Sequence, residues 1–159
     1  MSDKYKKLIK KYPKLFGLEA AATPYSERGV ECGEGWYDLL DHLCMQIQSY
    51  VDQTEGAEQV LVEQIKSKFG TLRFYISGYD DYIRGLITMA ESISATICEE
   101  CGEKGILQRR SWMKTLCHEC YHTREETGQN KWDTWKKVKA ARAKQDEDEG
   151  DLYKTFGGD

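Results

Sequence analysis

The stretch QVLVEQIKSKFGTLRFYISG, residues 59–78, decides the fold class. In its second half Leu72, Phe74 and Ile76 alternate with Arg73, Tyr75 and Ser77, the period-two pattern of a half-buried strand. The first half is open to two readings, because Leu61, Ile65 and Phe69 fit both a helical and an extended period. Gly70 lies between the two runs and tolerates a positive φ. The stretch therefore predicts an antiparallel hairpin turning within Lys68–Thr71. A lone hairpin is marginal in water and has to lean on helices.

The flanking sequence supplies them. WYDLLDHLCMQIQSYV, residues 36–51, puts Trp36, Leu39, Leu40, Leu43, Ile47, Tyr50 and Val51 on one helical face. Residues 80–97 open with two aspartates suited to a helix N-terminus and continue through Tyr82, Ile83, Leu86, Ile87, Ala90, Ile93 and Ile97. Gly85 inside this pattern implies either close packing or a weakness of about 1 kcal/mol relative to alanine. Residues 4–16 give a third amphipathic pattern, from Tyr5, Leu8, Ile9, Tyr12, Leu15 and Phe16, with lysines opposite. Pro13 falls late in it, where it kinks or ends a helix. The expectation is a helix laid on the core; a basic helix on a membrane surface is the weaker alternative. Residues 17–35, with Gly17, Gly29, Gly33, Gly35 and Pro24, read as an irregular connection.

The composition fits a protein of about one domain: 159 residues, 40% hydrophobic, 31% charged, with a mean hydropathy of −0.70. No apolar run approaches the roughly 20 residues of a membrane span, and the N-terminal residues do not read as a signal peptide. A cytoplasmic protein is expected. The net charge of −4 averages over blocks. Residues 4–14 hold six lysines and no acid, residues 131–144 hold six basic residues against Asp133, and an acidic run follows.

Four of the six cysteines form two Cys-x-x-Cys pairs, Cys98/Cys101 and Cys117/Cys120, fifteen residues apart. This spacing is that of a tetrahedral zinc site: each tight turn brings two thiolates to one ion, and the two turns close the tetrahedron. Gly102 stands where such a knuckle requires an unusual backbone angle. Four thiolates leave no open coordination position, so the metal is expected to be structural Zn2+, with iron in the same donor set as an alternative. A thioredoxin-type redox pair would occur once, beside a βαβ pattern. Cys32, His42 and Cys44 have no ligand spacing and read as a buried thiol and a satisfied histidine rather than a second site.

The loop between the pairs carries Arg109, Arg110, Trp112 and Lys114, a mixture suited to phosphate contact and base stacking. Its other reading has Ile106, Leu107, Trp112 and Leu116 packing a small module whose charges stay solvated. Residues 98–124 hold five basic and four acidic side chains, and a zinc ion with four thiolates adds about two negative charges. The excess of positive charge largely disappears. Arg73 and Tyr75, on the outward face of the hairpin, are further candidate contacts for a partner.

The expected architecture is α+β: amphipathic helices on a short antiparallel β-hairpin, with a four-cysteine zinc-knuckle module and a C-terminal helix. Its parts are a helical and hairpin core (1–97), the zinc module (98–122), a basic helix bearing Trp132 and Trp135 (123–145) and an acidic, disordered tail (146–159).

The motifs GWYDLLD (35–41), KFGTLRFY (68–75) and the two cysteine knuckles together resemble a family of small phage and prophage proteins. The likeness spans roughly residues 30–122. It implies a compact accessory protein of a phage or mobile element, acts as no guide to catalysis, and brings no catalytic residues with it. The chain has no glycine-rich phosphate loop, His-Glu-x-x-His or nucleophile elbow. The expected function is binding of a host or phage protein or nucleic acid, in the setting of counter-defence. The alternatives are sequestration of a small phosphorylated signalling nucleotide and a metal-dependent, nuclease-like enzyme.

Overall fold

A computed structural model describes residues 2–18, 29–109 and 113–126. Two compact units divide the chain, Met1–Cys120 and Tyr121–Asp159. The first holds helices α1 (Asp3–Lys11), α2 (Tyr37–Gln53) and α3 (Asp81–Ser94) and strands β1 (Val30–Glu31), β2 (Leu61–Lys68), β3 (Thr71–Ser77), β4 (Ile106–Gln108) and β5 (Lys114–Leu116). Helix α4 (His118–Glu126) begins at the second cysteine pair. The architecture is α+β. Of the basic helix, residues 127–145 lie outside the described residues, as does the acidic tail.

Residues 61–68 are strand, which resolves the ambiguous half of the opening stretch. β2 and β3 pair antiparallel, with Ile65 opposite Phe74 and Lys68 opposite Thr71. The turn between them is Phe69 (φ 55°) and Gly70 (φ 75°), two positive angles in succession as a two-residue hairpin requires. Val62, Ile65, Leu72, Phe74 and Ile76 face the core, so a slip of one residue would turn that apolar set outward.

The connection expected to be irregular contains a strand at its end. Val30 and Glu31 pair parallel with Ile65 and Lys66, giving the sheet order β1-β2-β3. Two residues carry no readable periodicity, and only the neighbouring strand makes them extended. The sheet edges are closed by side chains and loops. Ser94 Oγ accepts the Leu72 N–H at 2.9 Å and Glu91 Oε1 accepts that of Phe74 at 3.2 Å, while the Val62 N–H donates to the Leu15 carbonyl at 2.8 Å. Edge amides that would otherwise recruit another strand are thereby used internally.

α1 and α2 bury most of the stripes read from sequence, whereas on α3 Ile83 and Ala90 are buried and Tyr82 and Ile93 are exposed. Trp36, Leu40, Leu43, Ile47 and Val51 of the α2 region meet Ile83 and Ala90 of α3 and the hairpin in one core. Each fully buried Leu or Ile contributes about 1.5–3 kcal/mol relative to exposure. α3 starts on Asp80, whose Oδ1 accepts the Ile83 N–H at 2.9 Å. It ends at Ser94 rather than at residue 97, because the bonds from Ala95 to Ser92 and Thr96 to Ile93 tighten the last turn.

α1 is likewise shorter than its apolar pattern. It stops at Lys11, since the residue before Pro13 is steered away from helical angles, and Leu15 and Phe16 reach the core from the turn that follows. Its apolar stripe is wholly buried, so no apolar face is left to enter a membrane surface. Lysines of α1 and of the turn after it reach acids: Lys11 to Asp41 at 2.8 Å, Lys14 to Asp52 at 3.0 Å and Lys4 to Glu34 at 3.7 Å. Among the described residues, no helix is long and apolar enough to cross a membrane.

Candidate metal centre

The first cysteine knuckle follows α3 after one turn. Cys98 accepts the Gly102 N–H through its carbonyl at 2.9 Å and donates its own N–H to the Glu103 carbonyl at 2.7 Å. Gly102 has φ 87°, as its place after the pair demands. The second knuckle runs from Cys117 into the first turn of α4, with the Cys120 N–H 3.4 Å from Cys117 Sγ. Between the knuckles β4 and β5 pair antiparallel, Ile106 opposite Leu116 and Gln108 opposite Lys114. No alternation along the chain marks this second hairpin, whose strands are three residues each.

The four sulfurs converge. Sγ atoms of Cys98, Cys101, Cys117 and Cys120 all lie within 4.8 Å of one another, with Cys101 and Cys117 at 3.6 Å. A tetrahedral ion with metal–sulfur bonds of about 2.3 Å sets its sulfurs about 3.8 Å apart, so the donor set fits a metal ion. Among the described residues no other group of three or more such donors meets. The remaining cysteines and His42 have other surroundings: Cys44 is buried, Cys32 Sγ lies 3.4 Å from the Tyr5 hydroxyl, and His42 Nδ1 lies 2.7 Å from the Asp38 carbonyl. Burial pushes the Cys32 thiol up to about 12, which makes it an inert thiol at neutral pH.

The thiols of the cluster do not behave alike. Burial pushes Cys98 up, but the backbone N–H groups at Cys101, Cys117 and Glu100 outweigh it and bring it down to about 7. Cys120 moves strongly upward, first through burial and then through the neighbouring sulfurs. Four thiolates repel one another at these distances. A cation held between them is what allows all four to ionise together.

The first knuckle is seated in the core by residues that the cysteine spacing does not reveal. The Gly35 N–H donates to the Glu99 carbonyl at 2.8 Å, and Trp36 Nε1 donates to the Ile97 carbonyl at 2.9 Å. A Cβ on Gly33 would stand 2.2 Å from the Glu99 carbonyl oxygen, and one on Gly105 would stand 2.7 Å from the Cys98 nitrogen. Glu99 turns inward between the two ligands of its pair and is almost fully buried. Its carboxylate accepts the Gly33 N–H at 3.2 Å and the Ser67 hydroxyl at 3.0 Å, and it faces Lys114 Nζ at 3.3 Å. A buried carboxylate is tolerated only with such partners. The only sequence signal for this socket was the pair of glycines in Cys-Gly-Glu-Gly, 32–35, which read as loop.

The hairpin also reaches the module. Thr115 Oγ1 donates to the Gly70 carbonyl at 2.7 Å, and a Cβ on Gly70 would stand 2.3 Å from Leu107 Cδ1. Leu116 and Thr115 are buried here, whereas Ile106, read from sequence as module packing, is 70% exposed. Leu107 and its partner Thr115 take the face toward Gly70, so the neighbouring Ile106 side chain stands on the opposite face.

The candidate contact residues are spread apart. Lys114 lies between Glu99 and Glu100, at 3.3 and 2.9 Å. Arg73 donates to the Leu72 carbonyl at 2.6 Å and the Thr71 hydroxyl at 2.7 Å, and it sits 3.7 Å from Glu91. Tyr75 is exposed, with Lys66 Nζ 5.4 Å from its ring centre. Arg109 is exposed at the end of β4, and Arg110 and Trp112 lie outside the described residues. No family model, curated protein or solved structure matches this chain, so its chemistry is read from its own side chains.

Proposed function

We propose that this chain is a non-catalytic accessory protein of phage type, stabilised by one structural zinc ion, that acts in the host cytoplasm by binding a macromolecule. The observation that carries the reading is the closed donor set: four cysteine sulfurs within 4.8 Å of one another fill a tetrahedral ion's coordination and leave no position for substrate or water. All-thiolate coordination favours zinc among the metals common in cells, with iron the competitor.

Binding to a protein is favoured over binding to nucleic acid. Arg73 and Lys114, two of the candidate contact cations, stand beside Glu91 and beside Glu99 and Glu100. Phe69, Tyr75, Tyr79, Tyr82, Met89 and Ile106 meanwhile expose large apolar side chains, the residue types of protein interfaces.

The test is native mass spectrometry of the tagged full chain from infected host cells, without added metal, before and after nuclease treatment. About one zinc per chain and a nuclease-resistant protein partner are expected. Less than about half an equivalent of metal would remove the structural-site reading. Nuclease-sensitive capture would replace the protein client by nucleic acid, and a nucleotide-sized adduct would replace both.

A further inference from the structure

Among the described residues, Phe69 is the only residue other than glycine with a positive φ. Hairpins of this kind need two such residues in their turn, and the usual pair is Asn-Gly or Asp-Gly. Gly70 meets the second requirement and also the space limit against Leu107. Phe69 takes up a positive φ without a glycine's freedom. A bulky side chain in the left-handed region is strained where asparagine would not be. Burial commonly offsets such strain, yet Phe69 is 63% exposed. Nor does the hairpin need it for register, which Ile65, Leu72 and Phe74 fix by facing the core.

The tip is held rigidly. The Thr115 hydroxyl donates to the Gly70 carbonyl at 2.7 Å, and the Thr71 hydroxyl donates to the Lys68 carbonyl at 3.2 Å. An aromatic ring fixed in this way loses little conformational freedom when it is bound. Lys68 Nζ lies 5.3 Å from the ring centre. Exposed Arg109 stands two residues beyond Leu107, against which Gly70 is seated.

We infer that Phe69 is the anchor of a docking surface for a partner protein offering an apolar pocket rimmed by carboxylates. The pocket takes the ring, and the rim answers Lys68 together with Arg109. Leu107, partly exposed and seated against Gly70, adds aliphatic surface next to the turn, which suits a protein pocket better than a base stack. This surface rests on the binding role proposed above and gives it a location and a partner chemistry.

The test uses the full chain in host cells, with the photocrosslinker p-benzoylphenylalanine at position 69 or, as a control, at exposed Tyr82. Tyr82 lies about 18 Å along α3 from Ser94, the residue bonded to the hairpin. Position 69 is expected to crosslink one protein, through a peptide that combines apolar residues with Asp or Glu. Phe69→Asn is expected to lower capture of that protein at least about tenfold while raising the melting temperature by about 3 °C. Unchanged capture, or a lower melting temperature in Phe69→Asn, would overturn the inference by making Phe69 a structural residue. Crosslinking to nucleic acid at 69 would overturn it too. A protein crosslinked from 82 but not 69 would sink this surface and leave the binding role standing; no crosslink from either would sink both.

Discussion

The Gly35 backbone N–H donates to the Glu99 carbonyl oxygen at 2.8 Å, which places the start of the α2 region directly against the first cysteine knuckle. A methyl group on Gly35 would stand 2.1 Å from the Cys98 carbonyl oxygen and 2.5 Å from the Gly102 nitrogen. These are backbone atoms and cannot swing aside. Gly35→Ala is therefore expected to destabilise the fold by about 3 kcal/mol, at the upper end for overpacking. It should also weaken zinc binding at least tenfold, because it displaces the turn that carries Cys98 and Cys101. Urea unfolding and competition with a zinc chelator check the two parts; unchanged zinc affinity would separate the socket from the metal.

Glu99 connects the knuckle to β2, to Gly33 and to Lys114 from a buried position. Glu99→Ala is expected to cost about 3 kcal/mol, since it leaves the Gly33 N–H and the Ser67 hydroxyl without their acceptor and Lys114 with one carboxylate instead of two. Glu100→Ala, which removes the more exposed of those two carboxylates, should cost about 0.5 kcal/mol. Equal losses in urea unfolding would show that burial of Glu99 is not what matters.

Gly85 is the opposite case to Gly35. It lies inside α3, and a Cβ there would meet nothing within 4 Å. Close packing is thus not the reason for a glycine at this position. Gly85→Ala should stabilise the protein by about 1 kcal/mol, raising the melting temperature by about 3 °C in a thermal scan. A drop would mean that the exposed α3 face is covered by something a methyl group obstructs.

Asp80 caps α3, and its carboxyl is held below the ordinary range first by the Ile83 N–H and then by the Tyr50 hydroxyl. A carboxyl with a lower pKa in the folded than in the unfolded chain adds stability that is fully present above the unfolded value, about 3.9, and is lost as the pH falls through the folded value. The stability gap between the protein and Asp80→Ala should therefore be full above about pH 5 and shrink toward pH 2. Denaturation curves across that range measure it. A gap that does not change with pH would assign the cap to hydrogen bonding without charge.

Much of the fold could be read along the chain because the signals are local. The alternation of Leu72, Phe74 and Ile76 and the stripe from Trp36 to Val51 report their own burial, and Pro13 and Asp80 mark helix ends through their own backbone chemistry. β1, β4 and β5 gave no comparable signal. They are two or three residues long, and each is extended because a neighbouring strand pairs with it.

The sequence by itself determined the hairpin, the helical core and the four-sulfur donor set, because period, turn chemistry and Cys-x-x-Cys spacing all act within a few residues. Only the tertiary structure decided where the knuckle is seated. Gly33, Gly35 and Ser67 stand 32 to 66 residues from Glu99, and only packing makes them its partners. It also decided the state of the candidate cations. Arg73 and Lys114 are the same residues in either reading, but a carboxylate folded against each sets its local field. Phe69 shows the same division. Its place in the turn was written in the chain, whereas its left-handed backbone and exposed ring arise from the pairing of β2 with β3.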